Sequence, residues 1–261
     1  MAEIIAVANQ KGGVGKTTTS INFAAALACL GQDTLLVDLD PQANATSGLG
    51  FDKQEVGAGI LENLLDQEPL EKTIKATGVE LLDIVCSSPD MVSAEIQLSN
   101  EVSRENRLRR ALEPFSKSYS YIVIDCPPSL GLLTINALCA SNRVLIPIQG
   151  EYYALEGLAS FFDAIKKVQA ALNPNLQLEG GVLTMFDPRF ALAQQVKGEL
   201  VKFLGPNLYE TTIPRTVRLA EAPGFGKTIF EYDPRSKGGQ RYLALAGEFL
   251  KRRGWQGMRF N

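Results

Sequence analysis

The segment NQKGGVGKTTTS at residues 9–20 constrains the fold of this 261-residue chain more than any other. It nearly fits the phosphate-binding pattern G-x-x-x-x-G-K-[ST], since the run GKT at 15–17 matches the end of that pattern. The first glycine of the pattern would stand at position 10, but Gln10 is there, and an additional lysine, Lys11, follows it. A loop of this kind works between a β-strand and the first turn of an α-helix, so it predicts an α/β fold.

Short, almost wholly apolar runs recur along the chain, as is typical of strands buried on both faces of a parallel sheet. The predicted strands are residues 4–8, 34–38, 81–85, 121–125, 144–148 and 181–185. Helical patterns lie between them at 17–30 and 155–172, and a similar apolar stripe is formed by Leu192, Val196, Leu200 and Phe203. We therefore expect an α/β protein with a doubly wound, mostly parallel sheet of the P-loop NTPase type, with helices on both faces.

The chain is expected to form one domain over residues 1–261, with a short tail at about 253–261, because no repeat, low-complexity segment or linker interrupts it. With 45% apolar and 21% charged residues, its composition is that of an ordinary soluble protein. The absence of histidine excludes histidine-based catalysis and histidine metal sites. The four cysteines are widely spaced, so we expect buried thiols in a reducing cytoplasm. The start of the chain shows no basic leader, which also predicts a cytoplasmic protein.

The residues of the phosphate loop have separate expected roles. Gly12, Gly13 and Gly15 would let backbone N–H groups approach phosphate oxygens, and the helix N-terminus adds a favourable dipole. Lys16 would neutralise charge on the β- and γ-phosphates, and Thr17 would give its hydroxyl to Mg²⁺. A glycine-rich turn that carries a lysine by chance is the alternative, and the strand, loop and helix context argues against it.

Two further strands end in carboxylates that would lie beside this loop. The run VDLDPQ places Asp38 and Asp40 at a strand tip, where one could position the attacking water or both could merely cap the loop. The run YIVID ends in Asp125, the Walker B position, where the acid holds Mg²⁺ directly or through water. Phosphoryl transfer depends on positioning and charge stabilisation, so it does not require histidine.

Charge is distributed unevenly along the chain, whose formal net charge is −3. Residues 1–188 contain 13 basic and 23 acidic residues, whereas residues 189–261 contain 13 basic and 6 acidic residues. The second segment is either an ordinary solvated surface or a basic surface suited to a polyanion. The candidate phosphate contacts within it are Arg189, Arg218, Lys227, Arg235 and Lys237.

Taken together, these motifs resemble the ParA/MinD group of P-loop ATPases. KGGVGKTT with its extra lysine is the deviant Walker A motif of that group, and VDLDPQ and IDCPPSLGLLTINAL accompany it. The runs EYYALEGL at 151–158, IPRTVRLAEAP at 213–223 and GKTIFEYDPRS at 226–236 resemble the chromosomal ParA, or Soj, branch. The resemblance covers essentially the whole chain. It implies that Lys11 crosses to the phosphates of a second subunit's ATP, where an added cation would offset the repulsion between two triphosphates.

The resemblance also implies the remaining site residues. The catalytic residues would be Lys11, Lys16 and Asp40, with Asp40 orienting the water, and Thr17 and Asp125 would hold Mg²⁺. The nucleotide would contact Lys11, Gly12, Gly13, Val14, Gly15, Lys16, Thr17, Thr18, Pro214 and Thr216. Two positions depart from the branch: Thr216 replaces a usual asparagine, and Ala43 replaces a common glycine, which we expect only to stiffen the loop. Of the basic candidates, Arg189 and Arg218 match positions implicated in the family.

In function, the resemblance implies a partitioning ATPase with a slow basal rate. An ATP-dependent homodimer would bind double-stranded DNA without sequence preference, and a ParB-type partner would trigger hydrolysis and release. The protein would then be cytoplasmic and nucleoid-associated. The alternative is a MinD-like ATPase held at a membrane by an amphipathic tail, although Gly254 and Gly257 weaken a helix there, so no membrane contact is expected. A metabolic P-loop enzyme lacks support, since a nitrogenase-type reductase would need paired cysteines.

Overall fold

The computed structural model describes residues 1–150 and 154–257 of the chain. Its strands are β1 (Glu3–Val7), β2 (Thr34–Asp38), β3 (Ile74–Ala76), β4 (Leu82–Val85), β5 (Tyr121–Asp125), β6 (Arg143–Gln149) and β7 (Gln177–Thr184). Its helices are α1 (Lys16–Cys29), α2 (Asn44–Gly48), α3 (Ile60–Leu64), α4 (Ala94–Leu98), α5 (Arg107–Leu112), α6 (Leu132–Ala140), α7 (Ala154–Ala171), α8 (Ala191–Leu204), α9 (Val217–Glu221), α10 (Ile229–Tyr232) and α11 (Lys237–Lys251). Short 3₁₀ turns lie at Leu70–Lys72, Pro89–Ser93, Arg104–Asn106, Glu113–Phe115, Gly205–Asn207 and Ala222–Phe225.

The strands form a seven-stranded sheet in the order β3-β4-β2-β5-β1-β6-β7. Its neighbouring strands run parallel, apart from the antiparallel pair β3 and β4 at one edge. Strand β1 lies between β5 and β6, and β2 lies on the far side of β5. The predicted doubly wound, mostly parallel sheet is therefore confirmed. The carboxyl ends of β1, β2 and β5 meet at one edge, and this brings the phosphate loop next to the two carboxylate motifs.

Helices cover both faces of the sheet and bury a separate apolar cluster on each. Helices α5 to α8 pack on one face, and α1, α10 and α11 pack on the other. Helix α1 contains a run of small buried residues at 24–26 that lets it lie between the sheet and α11. Phe249 of α11 packs edge-on against Phe23 of α1, with ring centroids 5.0 Å apart. Burial of one such ring stabilises the fold by roughly 1.5–3 kcal/mol, so α11 is firmly attached to the helix that follows the phosphate loop.

The first five predicted strands and the two predicted helices are confirmed to within one residue at each end. Strand β7 differs most, because it begins at Gln177 rather than at 181. Its first half is polar and includes Glu179, whose buried carboxylate accepts a hydrogen bond from Arg253 Nη2 at 2.6 Å. Arg253 also donates to Glu3, so it ties the end of the chain to β1 and β7. That pairing depends on residues far apart in the sequence, and no local pattern indicates it.

Other expectations need correction. Edge strand β3, helices α2 to α6 and helices α9 to α11 are not among the predicted elements, although Tyr242, Leu245 and Phe249 recur at helical spacing in α11. Half of the apolar stripe in α8 is exposed at Leu192 and Phe203. The thiols of residues 86, 126 and 139 are buried as predicted, whereas that of residue 29 is exposed in the last turn of α1.

The expected tail lies partly within the described residues. Helix α11 ends at Lys251, and Gly254 and Gly257 adopt left-handed backbone angles, φ 80° and 91°, so the predicted interruption of a helix there is confirmed. Residues 258–261 and the residues 151–153 that begin the EYYALEGL motif lie outside the described part of the chain. Among the described helices, none is long and apolar enough to cross a membrane.

Candidate nucleotide-binding site

The phosphate loop joins β1 to α1 at the carboxyl edge of the sheet. Gly13 and Gly15 have φ of +75° and +84°, a left-handed conformation that glycine adopts without steric cost. A Cβ atom added at Gly12 or Gly13 would meet no other atom within 4 Å, so the outer surface of the loop is open. Backbone N–H groups of this loop and of the first turn of α1 can therefore approach the oxygens of a bound phosphate.

Lys16 lies beneath the loop, with only 7% of its surface exposed. Its ammonium group donates a hydrogen bond to the backbone oxygen of Lys11 at 3.0 Å. Burial lowers the pKa of Lys16, while the nearby carboxylates of Asp125 and Asp40 act in the opposite direction. The loop therefore holds a poorly solvated cation beside two acids, and a phosphate oxygen could replace the backbone oxygen as its acceptor.

Asp125 ends β5 directly opposite Asp38 of β2. Ser20 Oγ, on α1, donates a hydrogen bond to Asp125 Oδ1 at 2.7 Å. The other oxygen, Oδ2, is buried and has no hydrogen-bond partner among residues 1–150 and 154–257. Burial, and after it the neighbouring charge of Asp38, raise the pKa of Asp125, whereas the hydroxyls of Ser20 and Thr17 act to lower it.

These residues fit a magnesium ion. A buried carboxylate oxygen without a donor is a group that a cation, or a water bound to one, would satisfy. In the described residues no cluster of three or more Asp, Glu, Cys or His side chains could hold a metal alone. Mg²⁺ in such sites is held by one or two protein ligands together with substrate phosphates, so a single free oxygen on Asp125 beside Thr17 suffices.

Asp38 holds the loop that follows β2. Its Oδ2 accepts hydrogen bonds from the backbone N–H and the hydroxyl of Thr46, at 2.8 and 2.7 Å, and its Oδ1 accepts from the N–H of Asp40 at 3.2 Å. The side chain is fully buried, and this burial raises its pKa, while the hydrogen bonds from Thr46 and Asp40 act to lower it. Of the two roles that the sequence left open, capping the loop is the one that Asp38 performs.

Asp40 stands at the start of the same loop, on the side of Lys16. Its Oδ1 accepts from the backbone N–H of Gln42 at 2.9 Å, and its backbone oxygen accepts from the hydroxyl of Ser87 at 2.8 Å. The residue is 6% exposed, so its carboxylate is held in one place rather than moving freely in solvent. The predicted role of Asp40 in orienting a water molecule would benefit from a carboxylate fixed in this way.

Ala43, in this loop, adopts a left-handed conformation with φ 51° and ψ 40°. A residue with a Cβ is strained there by roughly 1–2 kcal/mol, whereas glycine is not. The expectation that alanine only stiffens the loop is therefore wrong, because the substitution also strains the folded state.

A cavity of about 230 Å³ adjoins the phosphate loop on the side of the C-terminal third. Pro214 and Thr216, both predicted, line it together with Gly15 and Thr18. The hydroxyl of Thr216 accepts from the N–H of Leu219 and caps α9, so it is already engaged with the backbone. Met185 and Tyr242 also line the cavity and are not among the predicted site residues. Met185 directly follows the carboxyl end of β7. Because ligands bind beyond the carboxyl ends of the strands in such sheets, its position in the sequence could have indicated a role in the site.

The five predicted DNA contacts are exposed, and the pairing of Arg218 with Asp233 places it beside the segment that carries Arg235 and Lys237. Arg189 pairs with Asp187 at 2.6 Å and lowers the pKa of that acid to about 2. Arg218 pairs with Glu221 at 3.1 Å and with Asp233 at 3.4 Å. Such exposed ion pairs are weak, so either arginine could exchange its acid for a phosphate. The remaining three, Lys227, Arg235 and Lys237, are also exposed.

Replacing Ser20 with alanine is expected to raise the Mg²⁺ concentration needed for nucleotide binding by 10- to 100-fold, the range seen when a residue that orients a metal ligand is removed. The serine hydroxyl orients Asp125 and leaves its Oδ2 available for the metal. A Mg²⁺ titration of fluorescent-ATP binding measures this effect, with Ser93→Ala, a half-buried serine in the 3₁₀ turn before α4, as control. An unchanged midpoint for Ser20→Ala would contradict the proposed orientation.

Three comparisons place the chain among known proteins. A family model described as an AAA domain matches residues 2–178. The Bacillus subtilis protein named sporulation initiation inhibitor protein Soj is 54% identical over 248 residues, covering 95% of this chain and 98% of the relative. The Myxococcus xanthus chromosome partitioning protein ParA is 51% identical over 252 residues, covering 97% and 89%. A solved structure described as cobyrinic acid a,c-diamide synthase from Mycobacterium smegmatis with bound ADP and magnesium has 34% identity and a TM-score of 0.84, with both chains fully covered.

Proposed function

The chain belongs to the ParA/Soj family of P-loop partitioning ATPases, and we propose that its ATP-bound form is a dimer that binds DNA without sequence preference. Hydrolysis stimulated by a ParB-type partner would release it. One observation carries the nucleotide part of this proposal: the open phosphate loop, buried Lys16 and the free oxygen of Asp125 lie together beside a base-sized cavity. ATP and Mg²⁺ are the nucleotide and metal that this arrangement suits. Residues 1–261 would act as one ATPase domain in the cytoplasm, on the nucleoid.

The residues divide the work of phosphoryl transfer among themselves. The N–H groups at 12–17 and the ammonium of Lys16 bind the phosphates, and the cavity formed with Pro214 holds the base. Thr17 and Asp125 would hold Mg²⁺, which when bound neutralises charge on the phosphates. Asp40 orients the attacking water toward the terminal phosphate. Little else is needed, because catalysis in this class comes from positioning and charge stabilisation.

Lys11 has the role that distinguishes this site. Its backbone N–H donates to Asn9 Oδ1 at 3.0 Å, and its backbone oxygen accepts from Lys16. Asn9 in turn donates to the backbone oxygen of Pro147 at 2.8 Å, so the origin of the Lys11 side chain is anchored to β6. Because the backbone of Lys11 is held in place, its side chain can extend from a defined position to the phosphates of a second subunit.

Lys11→Ala is expected to bind ATP as a monomer and to fail to dimerise, because the phosphate cradle remains while the cation that offsets repulsion between two triphosphates is lost. Measuring the size of the protein with ATP, with ADP and without nucleotide tests this. The control is Lys117→Ala, an exposed lysine in the segment before the amino end of β5. An ATP dimer of normal stability in the Lys11 variant would show that the cross-subunit role is wrong.

The competing function is a MinD-like switch at a membrane. Co-sedimentation with DNA and with anionic liposomes, in ATP and in ADP, separates the two. The proposal predicts ATP-dependent recovery with DNA and none with liposomes. Recovery with liposomes alone would replace the DNA-binding function by the membrane one.

A further inference from the structure

The segment between β4 and α5 exposes apolar side chains on a helical run. The 3₁₀ turn Pro89–Ser93 continues directly into α4, so residues 89–98 form one run. Three of its side chains face the core and are fully buried: Met91, Ala94 and Leu98. Val92 and Ile96, four residues apart and therefore on a shared face, are 69% and 76% exposed. An exposed apolar face of this kind is typical of a surface that binds another chain.

Acidic side chains accompany these two apolar residues. Residues 89–105 contain four acidic residues and a single basic residue, Arg104. Asp90 and Glu95, both exposed, form no ion pair within the part of the chain that the structure describes. The helical run therefore combines apolar side chains with uncompensated negative charge. We call it the α4 surface, and its members are Asp90, Val92, Glu95 and Ile96.

The segment just before the α4 surface is connected to the loop that carries Asp40. Ser87 is fully buried, and its hydroxyl donates a hydrogen bond to the backbone oxygen of Asp40 at 2.8 Å. The backbone N–H of Ser87 donates to Thr46 Oγ1 at 2.9 Å, in the same loop. A ligand that displaces residues 89–98 would therefore act on the position of the predicted water-orienting acid.

The α4 surface also contacts the segment that follows Asp125. Glu95 Oε1 accepts a hydrogen bond from the backbone N–H of Leu133, in the first turn of α6, at 3.4 Å. A Cβ atom added at Gly131 would collide with the same oxygen, so the carboxylate packs directly against this glycine. Residues 126–131 join Asp125, a predicted Mg²⁺ ligand, to α6. The α4 surface is thus linked to both acids of the candidate site.

We propose that the α4 surface is the docking site for a basic, amphipathic segment of the partner that stimulates hydrolysis. The inference rests on the proposed function, because it assigns a place on this chain to that partner. Apolar side chains of the segment would cover Val92 and Ile96, while its cations would pair with Asp90 and Glu95. A second copy of this chain suits the surface less well, because in a symmetric contact centred on it the same acids would face each other.

Val92→Ser/Ile96→Ser tests the apolar part of the docking site. Both side chains are exposed, so the variant is expected to fold and to keep the wild-type basal turnover. The probe is the full-length ParB-type protein of the same organism, and ATP turnover is measured against its concentration with saturating random duplex DNA. The concentration for half-maximal stimulation should rise at least about tenfold, because apolar side chains at the centre of a contact contribute most of its affinity. The control is a pair of exposed aliphatic residues on α8 and α11, Val201→Ser/Leu243→Ser, which should respond as wild type.

Asp90→Asn/Glu95→Gln tests the charge of the docking site. The glutamine keeps an oxygen that can accept from Leu133, so the contact with α6 is retained. The variant should need more partner at low salt, and its half-maximal concentration should depend less on salt than that of wild type. A purely structural role of these acids would leave the salt dependence unchanged.

The outcomes distinguish the docking site from the proposed function. Measuring the size of both variants in ATP checks that they still dimerise. Stimulation of Val92→Ser/Ile96→Ser at the wild-type partner concentration overturns the docking site and leaves the stimulated hydrolysis in place. Loss of the ATP dimer in that variant would assign the α4 surface to the second copy, which also overturns it. Wild-type turnover that does not rise at any partner concentration overturns the role of the partner in the proposed function itself.

Discussion

Lys16→Ala is expected to abolish ATP binding, the largest loss of affinity of any single substitution in this chain. The lysine is the buried cation of the phosphate loop, and its ammonium group is already held in place by the backbone oxygen of Lys11. A hydrogen bond to a charged partner contributes about 1.5–3 kcal/mol, and the triphosphate would lose its main fixed counter-charge at the same time. A reduction in affinity of more than about 10² follows from the upper end of that range.

Titration with a fluorescent ATP analogue measures this loss, with Lys72→Ala as the control. Lys72 is exposed, is paired with Glu68, and lies away from the phosphate loop. Circular dichroism and thermal melting should show that the Lys16 variant is folded, since removing a buried cation need not unfold the chain. Affinity for ATP within about threefold of wild type would contradict the position assigned to Lys16.

Asp40→Ala should bind ATP and dimerise but hydrolyse slowly, which would leave a persistent DNA-bound form. The substitution removes a water-positioning carboxylate without touching the phosphate cradle, and a ~10²-fold loss in turnover corresponds to about 2.7 kcal/mol of the barrier. Phosphate release measures the rate, and Asp52→Ala, an exposed acid in a neighbouring turn, is the control. Normal turnover by the Asp40 variant would contradict the role assigned to Asp40. Asp38 could not take over that role, because both of its oxygens accept hydrogen bonds from the loop.

The wild-type basal rate should also be low, and a ParB segment bearing arginine or lysine should raise it. An added cation stabilises the charge that develops on the transferred phosphoryl group, as it does in other P-loop NTPases. The same segment should leave the Asp40→Ala rate near its basal value.

Much of the fold could be predicted because the strands of a buried parallel sheet are apolar on both faces and therefore stand out in the sequence. Strands β1, β2, β4, β5 and β6 satisfy that condition. Strand β7 does so only in its second half, since Glu179 is buried by pairing with Arg253 rather than by being apolar. A pairing across more than seventy residues has no local signal.

Part of the candidate site could also be predicted from the sequence. Lys16, Asp40 and Asp125 could be predicted because each belongs to a characteristic short motif at the carboxyl end of a strand. The roles of their supporting residues could not, because these depend on contacts between distant segments. Ser20 reaches Asp125 from α1, and Thr46 decides which of the two roles Asp38 performs.

We expect ATP to switch DNA binding on. A monomer presents the basic surface of residues 189–261 on a chain of net charge −3, whereas a dimer places two such surfaces on one body and lets their phosphate contacts act together. Fluorescence anisotropy with random and AT-rich duplexes, at several salt concentrations and with ATP, ADP or no nucleotide, measures this directly. We expect binding only with ATP, equal affinity for both sequences, and a steep fall in affinity with salt as counterions are released. Equal binding with ADP, or a strong preference for one sequence, would contradict it.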